Sequence, residues 1–147
     1  MQLLQAALKI VASVPQGAQI AVDLARRRLR FDARLTDRAQ TTMLRTIVLG
    51  PEPFHGEAEW AAVSLAGTLV HEHWHTRQNP LWKSWSFWAG ILTRTHPMLR
   101  YEQPAYARQI GFLEELARVS PAHTPFARAE AEEVRAAFAL HYRGELM

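Results

Sequence analysis

The sequence predicts an α+β domain: a short antiparallel sheet, a buried central helix, and a following helix that bears a glutamate. Two observations carry this. Residues 28–35 alternate apolar and charged with period two, as a half-covered strand does. Residues 57–78 then run without proline and dense in Ala, Leu and Val, long enough for five to six helical turns.

The elements follow in order. Leu3, Leu4, Ala7, Leu8, Val11 and Ala12 recur at helical spacing, so residues 2–13 read as a first helix, ended by Pro15 and Gly17. Ala18 to Arg26 is ambiguous and fits a further helical turn or two. In the alternating strand, Leu29, Phe31, Ala33 and Leu35 point to a core, while Arg28, Arg30, Asp32 and Arg34 face water. A polar loop, Thr36 to Thr41, leads to a second strand over Thr42 to Leu49, closed by Gly50, Pro51 and Pro53. Two strands joined by so short a loop imply an antiparallel pair. The central helix is apolar nearly all round and is therefore buried; Asn79 and Pro80 stop it. Two more helices are expected near 103–119 and 125–142, the last with a stripe of Phe126, Val134, Ala137, Phe138 and His141.

Composition narrows the function classes. A chain of 147 residues, 48% hydrophobic and 21% charged, fits one domain over residues 1–147 and neither a fibre nor a disordered segment. The absence of cysteine excludes disulfides, thiolate metal sites and thiol nucleophiles. The net charge of +3 owes much to Arg26, Arg27, Arg28, Arg30 and Arg34. A solvated strand face accounts for that cluster better than a nucleic-acid site. Met1 to Val14 has no leading positive region or cleavage site, and the apolar stretch Trp60 to Val70 is far short of the ~20 residues of a spanning helix. A cytoplasmic protein with no membrane span is the expectation.

Chemistry enters at His71-Glu72-His73-Trp74-His75, an H-E-x-x-H pattern inside the central helix. Positions i and i+4 stack on one helix face, close enough for two imidazoles to share one tetrahedral metal. Glu72, rotated about 100° from His71, flanks the metal, where it can take a proton from water activated by zinc. The competing reading is a histidine-rich helix end that merely suits the negative end of the helix dipole. His73 lies on another face and reads as a partly exposed polar residue.

An open zinc site wants a third protein ligand. Gln78 and Leu81 stand where the metzincin pattern requires glycine and histidine, which excludes that class. The remaining choice is a glutamate from a later helix: Glu102, Glu114, Glu115, Glu130, Glu132 or Glu133. Glu102 is favoured, because 27 residues after His75 leave room for a return crossing and Pro104 suits the first turn of a helix. The later glutamates sit among charged neighbours and read as solvated faces. His96 is the next candidate ligand.

The segments Leu69 to Gln78 and Tyr101-Glu102-Gln103-Pro104-Ala105-Tyr106 resemble the gluzincins, the thermolysin-like metallopeptidase clan, and most of all their small single-domain members, the minigluzincins. With the preceding strands the resemblance covers roughly residues 28–119. It implies a zincin-like fold, a Zn2+ cofactor held by His71, His75 and Glu102, and Glu72 as the base that activates water against a peptide bond. A peptide or protein would be the substrate, pairing along the edge offered by the strand at Thr42 to Leu49. His96, Tyr101 and Tyr106 are the candidates for stabilising the oxyanion. One departure stands out: larger gluzincins often carry an acidic residue four positions after the glutamate ligand, and here that position is Tyr106. What orients the ligand histidines is therefore open, and Gln78 has no derived role.

Trp82, Trp85 and Trp88 recur every three residues between the two ligand-bearing helices, with Phe87, Ile91 and Leu92 beside them. Such a stripe reads first as core, then as a cleft wall, and last as a contact with a partner or a membrane surface. Three functions stay in view: a zinc metallopeptidase, a regulatory or binding protein braced by zinc, and a basic nucleic-acid module using Arg26 to Arg34.

Overall fold

Helices dominate the chain, in the order α1 (Gln2–Ser13), α2 (Gly17–Ala25), β1 (Leu29–Phe31), β2 (Ala39–Thr41), β3 (Ile47–Leu49), α3 (Ala58–Arg77), α4 (Pro80–Thr93), α5 (Leu99–Val119) and α6 (Thr124–Tyr142), with a 3-10 turn at Glu52–Phe54 before α3. This computed structural model describes residues 2–142. The fold is α+β, mostly helical with a small three-stranded sheet.

α3 is the axis. Every residue from Ala61 to His73 is buried. Most of its residues up to Leu69 are small (Ala61, Ala62, Ser64, Ala66, Gly67 and Thr68), so neighbouring elements can close on it from several sides. α1 presents Ala7, Ile10 and Val11 to the core, and α5 presents Phe112, Leu113 and Leu116. α6 closes the core with Ala127, Ala131 and Val134.

The sheet departs from its sequence expectation. The first and third strands pair in parallel, Leu29 opposite Ile47 and Phe31 opposite Leu49. The antiparallel partner of β3 is β2, which lies inside the stretch expected to be a polar loop. The alternation of residues 28–35 breaks after three residues because Asp32 turns the chain. Its carboxylate accepts from Arg34 N at 2.9 Å and its carbonyl from Leu35 N at 3.2 Å. Phe31 and Ala33 are consequently exposed instead of core-facing. The expected strand over Thr42 to Leu49 likewise shortens to Ile47–Leu49. Thr42 to Thr46 is the hairpin turn, closed by Arg45 N on Thr42 O at 2.9 Å, with Arg45 in the left-handed region at φ 59°. Met43 and Leu44, which look like strand residues, sit at its tip 87% and 90% exposed.

α5 begins at Leu99, earlier than expected, and Pro104 lies in its interior, not in its first turn. Proline cannot donate to the carbonyl of Arg100 four residues back. The indole N–H of Trp82 donates to that oxygen instead, at 3.3 Å. Glu102 still falls in the first turn of the helix, as the sequence required.

Two further expectations fail. Glu130 is not on a solvated face: it is 1% exposed and accepts from Arg38 at 2.6 Å and from Ser64 at 2.9 Å. The tryptophan stripe is not core either. On α4 only Ser86 and Gly90 are buried, and the large side chains point outward. No helix among the described residues is long and apolar enough to cross a membrane.

Candidate metal centre

The end of α3 and the start of α5 face each other, and three ligand atoms meet between them. His71 Nε2 lies 3.1 Å from Glu102 Oε2, His75 Nε2 lies 3.2 Å from the same oxygen, and the two imidazole nitrogens are 3.1 Å apart. Both histidines are buried and Glu102 is half-buried. For a tetrahedral zinc ion with bonds of about 2.0–2.1 Å, neighbouring ligand atoms would stand about 3.3–3.4 Å apart. The triangle is close to one face of that tetrahedron, so the residues fit the metal.

The outer nitrogens explain the orientation. His75 Nδ1 is 2.7 Å from Gln78 Oε1, and His71 Nδ1 is 3.1 Å from Gln109 Oε1. Gln78 donates its own Nε2 to the carbonyl of Tyr101 at 3.1 Å, which assigns its oxygen to the histidine. With Nδ1–H donating outward, each Nε2 is left with a lone pair pointing inward. Two lone pairs and a carboxylate oxygen then face one another, an arrangement that calls for a cation between them. Without a metal, a proton can serve. Burial pulls the His75 imidazole down, but the hydrogen bond and charge of Glu102 outweigh it and its pKa is raised. Burial likewise pushes the Glu102 carboxyl up, yet its bonds with His71 and His75 hold it at about 2.

Glu72 is rotated off the ligand face, as the helical geometry requires, and turns towards β2. Thr41 Oγ1 donates to its Oε2 at 2.6 Å and also lies 3.2 Å from its backbone carbonyl. β2 therefore holds the carboxylate beside the ligands. The opposite edge of β2 carries no strand among the described residues, whereas β3, which ends the expected edge segment, lies in the middle of the sheet.

A cleft of about 630 Å³ opens over this group, bordered by Glu72, the three ligands, β2 and the far end of α6. Tyr101 stacks on the His75 ring at 4.5 Å, and Tyr106 meets the His71 ring edge-on at 4.7 Å. Burial, reinforced by the nearby Glu102 and Glu72 charges, pushes both phenols up to about 12, so they stay protonated as donors. His96 is exposed outside the cleft lining, its Nδ1 accepting from Met98 N at 3.0 Å. It is neither a fourth ligand nor a group facing the site.

His73 is buried rather than partly exposed, with Nε2 3.1 Å from Asp23 Oδ2 on α2. Burial lowers its pKa despite that carboxylate. Of the other glutamates, Glu114 and Glu132 are exposed and absent from the cleft lining, while Glu133 reaches the rim.

Sequence reasoning missed Thr41, Gln109, His141 and Tyr142, the last two bordering the cleft from α6. Gln109 had a usable signal. Seven residues after Glu102 is two helical turns, which returns it to the ligand face. Thr41 had none, because its partner is 31 residues away and depends on the sheet register.

Comparison of the chain with protein-family models, with curated proteins and with solved structures finds no match.

Proposed function

We propose that the protein is a zinc-dependent hydrolase of gluzincin type, with a zincin-like fold and with peptides or proteins as substrates. One observation carries the reading: two imidazole nitrogens and a carboxylate oxygen converge at 3.1–3.2 Å, with a second carboxylate, Glu72, next to them. His71, His75 and Glu102 would hold the zinc, which when bound would supply Lewis-acid chemistry to water and to a carbonyl. Glu72 is the general base: its carboxylate takes the proton of the attacking water and returns it to the leaving amine. Thr41 restricts Glu72 to one orientation through the bond to Oε2. The neutral phenols of Tyr101 and Tyr106 are hydrogen-bond donors for the oxyanion that develops on the attacked carbonyl. An extended substrate pairs along the free edge of β2, in place of the Thr42–Leu49 strand of the sequence expectation.

Metal analysis of the purified protein should find about one zinc per chain, and His75→Ala should remove it. Glu72→Gln should retain the metal and lower cleavage of a peptide library by at least about 10²-fold. A wild-type protein without metal would overturn the metal centre. A Glu72→Gln protein that cleaves at the wild-type rate would overturn the assignment of the base.

A further inference from the structure

α4 is amphipathic in reverse. Its closest approach to the body is made by its smallest residues, beside the Trp82 bond to Arg100 O. Ser86 donates to Pro97 O at 2.8 Å and accepts from Tyr101 N at 3.1 Å. Gly90 lies so close to the same segment that a Cβ there would sit 2.6 Å from Pro97 Cα. The opposite face carries Leu81, Trp85, Trp88 and Leu92, at the i, i+4, i+7, i+11 positions that fall in one line along a helix. Those four are 74%, 49%, 63% and 82% exposed, and Phe87 and Ile91 flank them. An apolar line of this length left in water marks a binding surface.

Charge identifies the occupant. From His73 to Tyr101 the sequence has no acidic residue and four basic ones, Arg77, Lys83, Arg94 and Arg100. Arg94 is exposed at the C-terminal end of the helix, while Lys83, although exposed, turns towards the body with its ammonium 5.7 Å from the Tyr101 ring. A second copy of α4 would bring no carboxylate to this basic segment. A bilayer with anionic headgroups accepts both parts of the pattern, with indoles and aliphatic chains at the acyl boundary and Arg94 among the phosphates. The 14 residues of α4 span about 21 Å, too short to cross a core of about 30 Å but enough to lie along its surface.

We infer that α4 is a docking helix for anionic phospholipid membranes, lying in the interface on Leu81, Trp85, Trp88 and Leu92. The inference does not depend on the metal centre.

Vesicle flotation tests it, using phosphatidylcholine alone and phosphatidylcholine with roughly 30% phosphatidylglycerol. The protein should float with the anionic vesicles only. Its tryptophan emission should shift to shorter wavelength and be quenched by bromine on the upper acyl carbons. The variant Trp85→Ser/Trp88→Ser/Leu92→Ser, altered only at exposed positions, should keep its circular dichroism and lose at least about tenfold in partitioning. Arg94→Glu should weaken binding and reduce its salt dependence. Absence of flotation, or equal flotation of the triple variant, would overturn the inference. So would a dimer in sedimentation that the triple variant abolishes while vesicles bind neither form, since the occupant would then be a second copy.

Discussion

α3 and α4 follow one another with only Gln78 and Asn79 between them, and both are rich in apolar residues, yet they end in opposite environments. α3 is built around Ala, Gly, Ser, Thr and Val, and is covered by α1, α5 and α6. α4 keeps Trp, Phe, Leu and Ile in water and turns Ser86 and Gly90 inward. Side-chain volume separates them. Small residues let several neighbours close around one axis, whereas the bulky α4 comes closest to the body at Ser86 and Gly90, where such residues are missing. Apolar content alone therefore does not identify the core; the size of the apolar residues does.

That contrast can be broken by experiment. Leu69→Ala, at a fully buried site on α3, should cost about 2–5 kcal/mol in urea unfolding; a loss below about 1 kcal/mol would mean that α3 is not the axis of the core. Gln78→Leu sits at the junction of the two helices and should weaken zinc affinity about 10–100-fold in a competition titration, and lower the stability of the metal-free protein by about 1–2 kcal/mol through its two lost hydrogen bonds. Unchanged affinity would remove Gln78 from the site. The smallest effect is expected on α4, where Trp88→Ser should shift unfolding stability by no more than about 0.5 kcal/mol. A loss comparable with that of Leu69→Ala would show that the outward face of α4 is packed.

The same contrast marks what could be read without a structure. α3 and the shared face of His71 and His75 were legible because burial and helix spacing follow from one period, and the meeting of Glu102 with that pair was legible from the length of the return crossing. The sheet was not. Asp32 and Thr42 form turns through their own side chains, and such local bonds override an alternating pattern. The outward face of α4 was misread because a helical stripe says which residues share a face but not whether anything covers it. Glu130 was misjudged from its charged neighbours in sequence, although its partner Arg38 is 92 residues away.

Gln78 joins both ligand-bearing helices, its oxygen on the His75 ring and its nitrogen on the Tyr101 carbonyl, one residue before Glu102. Neither bond involves the ion. The clasp between the two walls is thus made by the chain itself, unlike a finger domain whose chain collapses around its zinc. A metal taken up at the proposed centre would then enter a socket whose walls the chain has already joined. On the proposed metal centre, a chelator should strip the ion without unfolding the protein.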